Sequence, residues 1–342
     1  MKLNEFQKRA ANTDQNPEKD APPEDKSNVI PMLGLAGEVG TLLSEYKKLL
    51  RDGHVHRRFR DAVSEELGDI LWYVANVATK FDLKLDDVVR QNLDKVEDRW
   101  LAPPEKHYLY DENFPSHEQL PREFEFTFAY RDEVGGARRV VLLGQNGDHA
   151  AGDPITDNAY EDDGYRFHDV MHLALAAVLG WSPVTRKIWK PKPLKRKSQP
   201  KIDEVEDGGR AQVIEEAIVA AAYVYAVDYN FMEGKENVDW DLLRHIKRLT
   251  ANVEVRDRTT WEWNKALIEG FRVWRELRKM DGGRVKVNLL ERTLTFIGAP
   301  EIPAEPNANE VVKAIHQREA LPAIQEPRAS ISADTTGGSA LP

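Results

Sequence analysis

Between Pro31 and Trp100, apolar residues recur at helical spacing in three runs joined by short links. Leu35, Val39, Leu42, Leu43, Tyr46, Leu49 and Leu50 mark a helix from Pro31 to Leu50, which Arg51-Asp52-Gly53 stops. Val63, Leu67, Ile70, Leu71, Val74 and Val77 mark a second, from Phe59 to Lys80. Val89, Leu93 and Val96 carry a third towards Trp100, with Asp86 or Asp87 as its cap. Amphipathic helices on such links bury their apolar faces by folding back on one another, so this region reads as a small antiparallel bundle. A short helix on Leu3, Phe6 and Ala10 precedes it.

The same helices carry acids where packing residues are expected. Gly37-Glu38-Val39-Gly40 opens the first apolar run, and Glu65-Glu66-Leu67-Gly68-Asp69 opens the second. Glu66 and Asp69 share one helix face, about 4.5 Å apart in rise, and Glu65 stands one turn from Asp69. Carboxylates facing one another across a helical core repel unless a cation lies between them. A divalent ion is the natural guest, and a polyphosphate is that ion's natural ligand. Glu45 lies about 10 Å along the helix from Glu38, which suits a second ion or a bound water rather than the same ion. Singly, each acid is better explained as a solvated face shared with Lys47, Lys48 and Arg60 than as a ligand. The glycine-framed glutamate followed by Glu-Glu-x-x-Asp is the more specific arrangement.

Composition narrows the chemistry. The 342 residues leave room for two domains, and the absence of cysteine excludes disulfides, thiolate metal sites and cysteine nucleophiles. No apolar stretch is long enough to span a bilayer, and Met1 to Phe6 has no signal-peptide core, so a cytoplasmic protein is expected. The net charge of -10 argues against a nucleic-acid partner.

At these acids the chain resembles the MazG-like all-α nucleoside triphosphate pyrophosphohydrolases, a superfamily that includes dUTPase- and dCTPase-type enzymes. The resemblance rests on Gly34-Leu35-Ala36-Gly37-Glu38-Val39-Gly40, Glu65-Glu66-Leu67-Gly68-Asp69-Ile70-Leu71-Trp72-Tyr73 and Asn92-Leu93-Asp94-Lys95, and it covers about residues 1–100. It implies a helical bundle, usually oligomeric, that uses Mg²⁺, or Mn²⁺ in its place, to split an NTP or dNTP into a monophosphate and pyrophosphate. The family pattern pairs Glu-x-x-Glu on one helix with Glu-x-x-Asp on the next. Glu38, Glu66 and Asp69 match three of the four acids as catalytic and metal residues, with Glu45 and Glu65 as further candidate ligands. Asn92, Lys95 and Arg99 match positions that would face the substrate, and Trp72 is a candidate base contact. Thr41 stands where the fourth acid belongs, which leaves the site one negative charge short.

Beyond Pro103-Pro104, Phe124, Phe126, Phe128 and Tyr130 alternate with smaller or charged residues as in a strand. With Val140 to Leu143 they predict a hairpin near 123–144, and Arg284 to Ile297 predicts another near 284–297. Helices are expected over about 165–180, 209–230, 239–256 and 258–280. The fold expectation is therefore mainly α. It comprises a catalytic bundle over 1–104, a connecting hairpin region over 105–164, a second helical domain over 165–298 and a disordered tail over 299–342. The second set echoes the first: Val213-Ile214-Glu215-Glu216-Ala217 parallels Val63-Ser64-Glu65-Glu66-Leu67, although Val219 replaces the expected aspartate. Such a degenerate copy would make the chain an internal pseudo-dimer in place of a homo-oligomer.

The second half holds its own chemistry. His168-Asp169-Val170-Met171-His172 sets two imidazoles one helical turn apart, and Glu215 and Glu216 could join them in a second site. Such a donor set suits a transition metal better than Mg²⁺. The plain alternative is a pair of hydrogen-bonded helix histidines. The basic run from Arg186 to Lys201 reads as a solvated loop within reach of phosphates. Three functional readings follow. They are a nucleotide pyrophosphohydrolase, a catalytically weak nucleotide-binding sensor or interaction module, and a separate His/Asp metal-dependent hydrolase in the second half.

Overall fold

The computed structural model describes residues 1–15, 25–103, 108–132, 138–144, 150–189 and 208–299. In chain order the elements are α1 (Leu3–Ala11), α2 (Lys26–Asp52), α3 (Phe59–Lys80), α4 (Leu85–Trp100), β1 (Glu123–Asp132), β2 (Arg138–Leu143) and β3 (Ala150–Ile155). Then follow α5 (Asp169–Leu179), α6 (Pro183–Trp189), α7 (Gly209–Asp228), α8 (Trp240–Leu249), α9 (Thr260–Met280), β4 (Gly283–Asn288) and β5 (Thr293–Gly298). The chain is mainly helical, as expected. The tail expected to be disordered lies outside the described residues, as does Lys190 to Lys201 of the basic run. Among the described residues, no helix is long and apolar enough to cross a membrane.

Two compact units form: Met1–Tyr108 with Asn237–Lys265, and Leu109–Glu236 with the chain from Ala266 onward. This division differs from the boundaries read in the sequence, because Asn237–Lys265 joins the amino-terminal unit. Its attachment is polar as well as apolar. Thr260 Oγ1 donates to Asp98 Oδ2 at 2.7 Å, Arg258 donates to the Tyr108 carbonyl, and the Arg99 guanidinium lies over both Trp100 and Trp240.

In the first unit α2 packs along α3, while α1 crosses α3 and α4. Helix α2 begins five residues before Pro31 because Asp25 caps it, accepting from the Ser27 N–H at 2.8 Å. Gly53, at φ +58°, ends it. The start of α4 departs from expectation. Neither Asp86 nor Asp87 caps it, since both fall inside its first turn. The free N–H groups are taken by α1 instead: Gln7 Oε1 accepts from Leu85 N at 2.9 Å, and Asn4 Oδ1 from Asp86 N at 3.1 Å. Gln7 Nε2 also donates to the Leu83 carbonyl at 2.7 Å. One side chain thus clamps the α3–α4 link over the Ala10, Ala75, Ala78 and Leu85 cluster.

The second unit is built on a five-stranded antiparallel sheet of order β3-β2-β1-β4-β5. The two expected hairpins are one sheet, because β1 pairs with β4 from Glu123↔Asn288 to Phe128↔Gly283. Strand β3 lies beyond the hairpin expected near 123–144. Its Gly152 and Pro154 suit an edge, where one row of backbone groups has no neighbour to satisfy. Alternation buries Phe124, Phe126 and Phe128 on one face, and the Trp189 ring of α6 packs there in a tilted contact, 4.6 Å from Phe124. Helix α5, buried from Val170 to Leu179, lies against β4 and β5. A Cβ at Gly270 would meet the Met171 sulfur at 2.7 Å, so glycine there lets α9 approach α5.

Replacing Gln7 by Ala should cost about 1–2 kcal/mol in chemical denaturation, the scale of a lost cap and its neighbouring hydrogen bonds. Asp87→Asn, which removes only a charge from the first turn, should cost no more than about 0.5 kcal/mol.

Candidate active site

Helices α2 and α3 bring the acids of the first unit together. Glu66 shares a hydrogen bond with Glu38 across the helix pair, and the charges of Asp69 and Glu65 act on it from its own helix. Partial burial and then the Glu38 and Asp69 carboxylates raise Glu66 above the ordinary glutamate range. Glu38 and Glu66 are half-buried, whereas Glu65 and Asp69 are exposed, so the cluster is rooted between the helices and opens to solvent. The donor set is oxygen only. Mutually repelling carboxylates of this kind fit a hard divalent cation such as Mg²⁺.

The remaining candidates are placed differently. Glu45 is buried, and its carboxylate is engaged: Lys48 donates to Oε1, and His56 Nε2 lies 3.0 Å from Oε2. Lys48 and partial burial dominate its environment, with a net lowering of its pKa. Glu45 therefore locks the α2 end to the following turn, a pairing with His56 that no sequence spacing announces. Thr41 Oγ1 turns back to the Gly37 carbonyl at 3.3 Å, satisfied within its own helix. Trp72 is committed to packing: its indole N–H donates to Thr13 Oγ1 at 2.8 Å, and its ring meets Tyr73 edge-on at 4.9 Å. Asn92 and Lys95 are exposed on α4, and Arg99 is occupied by two tryptophan faces.

In the second unit the structure joins His168, His172, Glu215 and Glu216. Glu215 is fully buried, accepting from Ser182 Oγ at 2.5 Å, Val184 N at 2.8 Å and His172 Nδ1 at 2.9 Å. Ser182 was not among the sequence candidates, although Ser182-Pro183 is a legible helix start with proline at its first position. His168 Nδ1 lies 2.9 Å from the Tyr165 carbonyl, and its ring stacks on Tyr165 at 4.3 Å. His168 Nε2 lies 3.6 Å from Asp169 Oδ1, and His172 Nε2 lies 3.4 Å from Glu216 Oε2. Burial alone would depress the His172 imidazolium. The Glu215 and Glu216 carboxylates outweigh it and push the group up to about 10. Arg186, expected in a solvated loop, is instead buried in α6 and donates to the Glu118 carbonyl at 2.9 Å. Its aliphatic stem and planar fork bury readily once carbonyl and Asp111 acceptors are supplied.

Residues 32–101 match the model of the MazG nucleotide pyrophosphohydrolase domain, and residues 105–300 match that of the MazG C-terminal domain. Over 69 residues the chain is 42% identical to the Gene 37 protein of Mycobacterium phage L5, an alignment covering 20% of this chain and 60% of that relative. The chain thus spans about 60% of the length of this curated relative. No solved structure matches the chain. One model covers the acid-bearing helices and the other more than half of the chain, so the chain belongs to the MazG family of nucleotide pyrophosphohydrolases.

Proposed function

We propose that the first unit is a Mg²⁺-dependent pyrophosphohydrolase that attacks an NTP or dNTP with water, releasing a nucleoside monophosphate and pyrophosphate. The observation carrying this reading is the contact of Glu66 with Glu38 beside Asp69 and Glu65. Glu38, Glu66 and Asp69 would hold the ion, with Glu65 next to them and Mn²⁺ able to replace Mg²⁺. The bound ion supplies charge neutralisation on the phosphate oxygens. One carboxylate of the Glu38–Glu66 pair would orient or deprotonate the attacking water. No covalent nucleophile is required. The proposed setting is the cytoplasm, where nucleotide triphosphates are available.

Thr41 favours a second reading, a nucleotide-binding sensor, because its hydroxyl is spent on Gly37 and adds no charge to the site. The proposed partner is a second copy of the chain. Leu33, Leu43 and Leu50 of α2 and Leu67 and Leu71 of α3 are all more than 40% exposed, an apolar area that a dimer of bundles would cover.

Pyrophosphate release across a panel of NTPs and dNTPs should depend on Mg²⁺, and Glu66→Gln or Asp69→Asn should lower kcat/KM by at least about 100-fold. Nucleotide binding with no release from any member of the panel would instead support the sensor. Thr41→Glu should tighten Mg²⁺ binding about tenfold by restoring a carboxylate. Because Glu66 is held above its ordinary range by partial burial and then by like charges, Glu66→Gln should raise the metal-free melting temperature at neutral pH. That gain should fade as the pH falls below the glutamate range and the cluster protonates. Light scattering should find at least a dimer, and Leu43→Glu with Leu71→Glu should reduce it to monomers.

A further inference from the structure

The second unit contains a polar cluster that the proposed nucleotide chemistry does not use. His172 is fully buried, and its Nδ1 faces the buried Glu215, which is itself held by Ser182 and the Val184 N–H. In the neutral tautomer Nδ1–H donates to Glu215 and Nε2 carries a lone pair; this atom makes no hydrogen bond among the described residues, and Glu216 Oε2 stands 3.4 Å from it. An orphaned nitrogen inside a buried helix is costly unless something fills the space in front of it. His168 repeats the arrangement one turn earlier. Its Nδ1 faces the Tyr165 carbonyl at 2.9 Å, which leaves its own Nε2 available. Each imidazole is thus oriented from behind by an acceptor on Nδ1, the arrangement that fixes the tautomer of a metal-ligating histidine.

We infer that His168, His172 and Glu216 bind a divalent transition ion of the Zn²⁺ class. Their ligand atoms lie within 4.8 Å of one another. Glu216 is half-exposed, so its carboxylate can swing inward to reach the bond lengths of about 2.0–2.2 Å that such ions require. Two imidazoles and one carboxylate select a borderline ion over Mg²⁺, whose ligands are oxygens. Three protein ligands would leave at least one coordination position for a non-protein ligand. That is the pattern of a site that binds a water or a substrate oxygen rather than one closed for structure alone. Asp169 Oδ1, 3.6 Å from His168 Nε2, is a further acceptor beside the cluster. Glu215 stays in its hydrogen-bonded pocket and acts as a positioning residue through His172.

Equilibrium dialysis of the full chain against Zn²⁺, with Mg²⁺ in excess to occupy the acidic cluster of the first unit, tests this. The expected result is one Zn²⁺ per chain, with affinity at least about tenfold weaker in both His168→Asn and Glu216→Gln. Co²⁺ in place of Zn²⁺ should give a visible d–d absorption that both variants lose. Glu216 presents a half-exposed side chain, so Glu216→Gln decides the matter should His168→Asn fail to fold by circular dichroism. Retention of no Zn²⁺ by the wild-type chain would overturn the inference, and it is the result expected if His172 simply carries a second proton towards Glu216. Equal affinity in the wild-type chain and Glu216→Gln would overturn it too. Neither result bears on pyrophosphate release by the first unit.

Discussion

The second unit is organised around one buried carboxylate. Glu215 lies on α7 with no exposure, and three donors from two other elements converge on it. Taking a glutamate out of water costs several kcal/mol, which only close and complete hydrogen bonding can offset. Ser182 and Val184 supply this at the start of α6, and His172 supplies it from α5. The register of all three helices is therefore tied to one side chain. The same constraint explains why α5 can be apolar on nearly every face yet hold a polar, fully buried imidazole in its first turn. Met171 beside it faces α9 at Gly270, so the positions flanking His172 have no freedom to rotate it away.

The acids of the first unit follow an opposite logic. Among the described residues no cation pairs with Glu38 or Glu66, and they sit half-buried with their charges opposed. Such a cluster stores destabilisation that a ligand can relieve, a common trade of stability for function. Glu45 on the same helix shows what a neutralised acid looks like in this bundle: it is buried and held between Lys48 and His56. The contrast separates a binding cluster from a structural ion pair more clearly than exposure does. With no cysteine in the chain, the two units offer hard oxygen donors in one and nitrogen-bearing donors in the other.

Much of the bundle was legible in the sequence because amphipathic helices announce themselves locally. The period of apolar residues and the break at Gly53 depend only on neighbours within a few turns. The Phe124, Phe126 and Phe128 alternation marked β1 for the same reason. What escaped were arrangements settled by partners far along the chain. The α4 cap came from Gln7 and Asn4 rather than from Asp86 or Asp87, since acceptors on another helix reached the free N–H groups first. Strand β3 lacks alternation and depends on β2 for its existence. Two hairpins became one sheet through β1–β4 pairing, a contact between residues about 160 positions apart. Trp72 looked available for a base, yet its indole N–H was taken by Thr13 on a segment that no local pattern connects to it.

By itself the sequence determined that acids would recur at helical spacing, that Glu66 and Asp69 would share a face and that His168 and His172 would stand one turn apart. Those are consequences of helix geometry, which the chain carries in its local order. Only the tertiary structure decided which of the acids meet. It joined Glu38 to Glu66, assigned Glu45 to His56 and split the adjacent Glu215 and Glu216 into one buried and one half-exposed group. Adjacent residues on a helix point about 100° apart, so packing, not spacing, determines which faces the core. That separation turned two like residues into a positioning group and a candidate ligand.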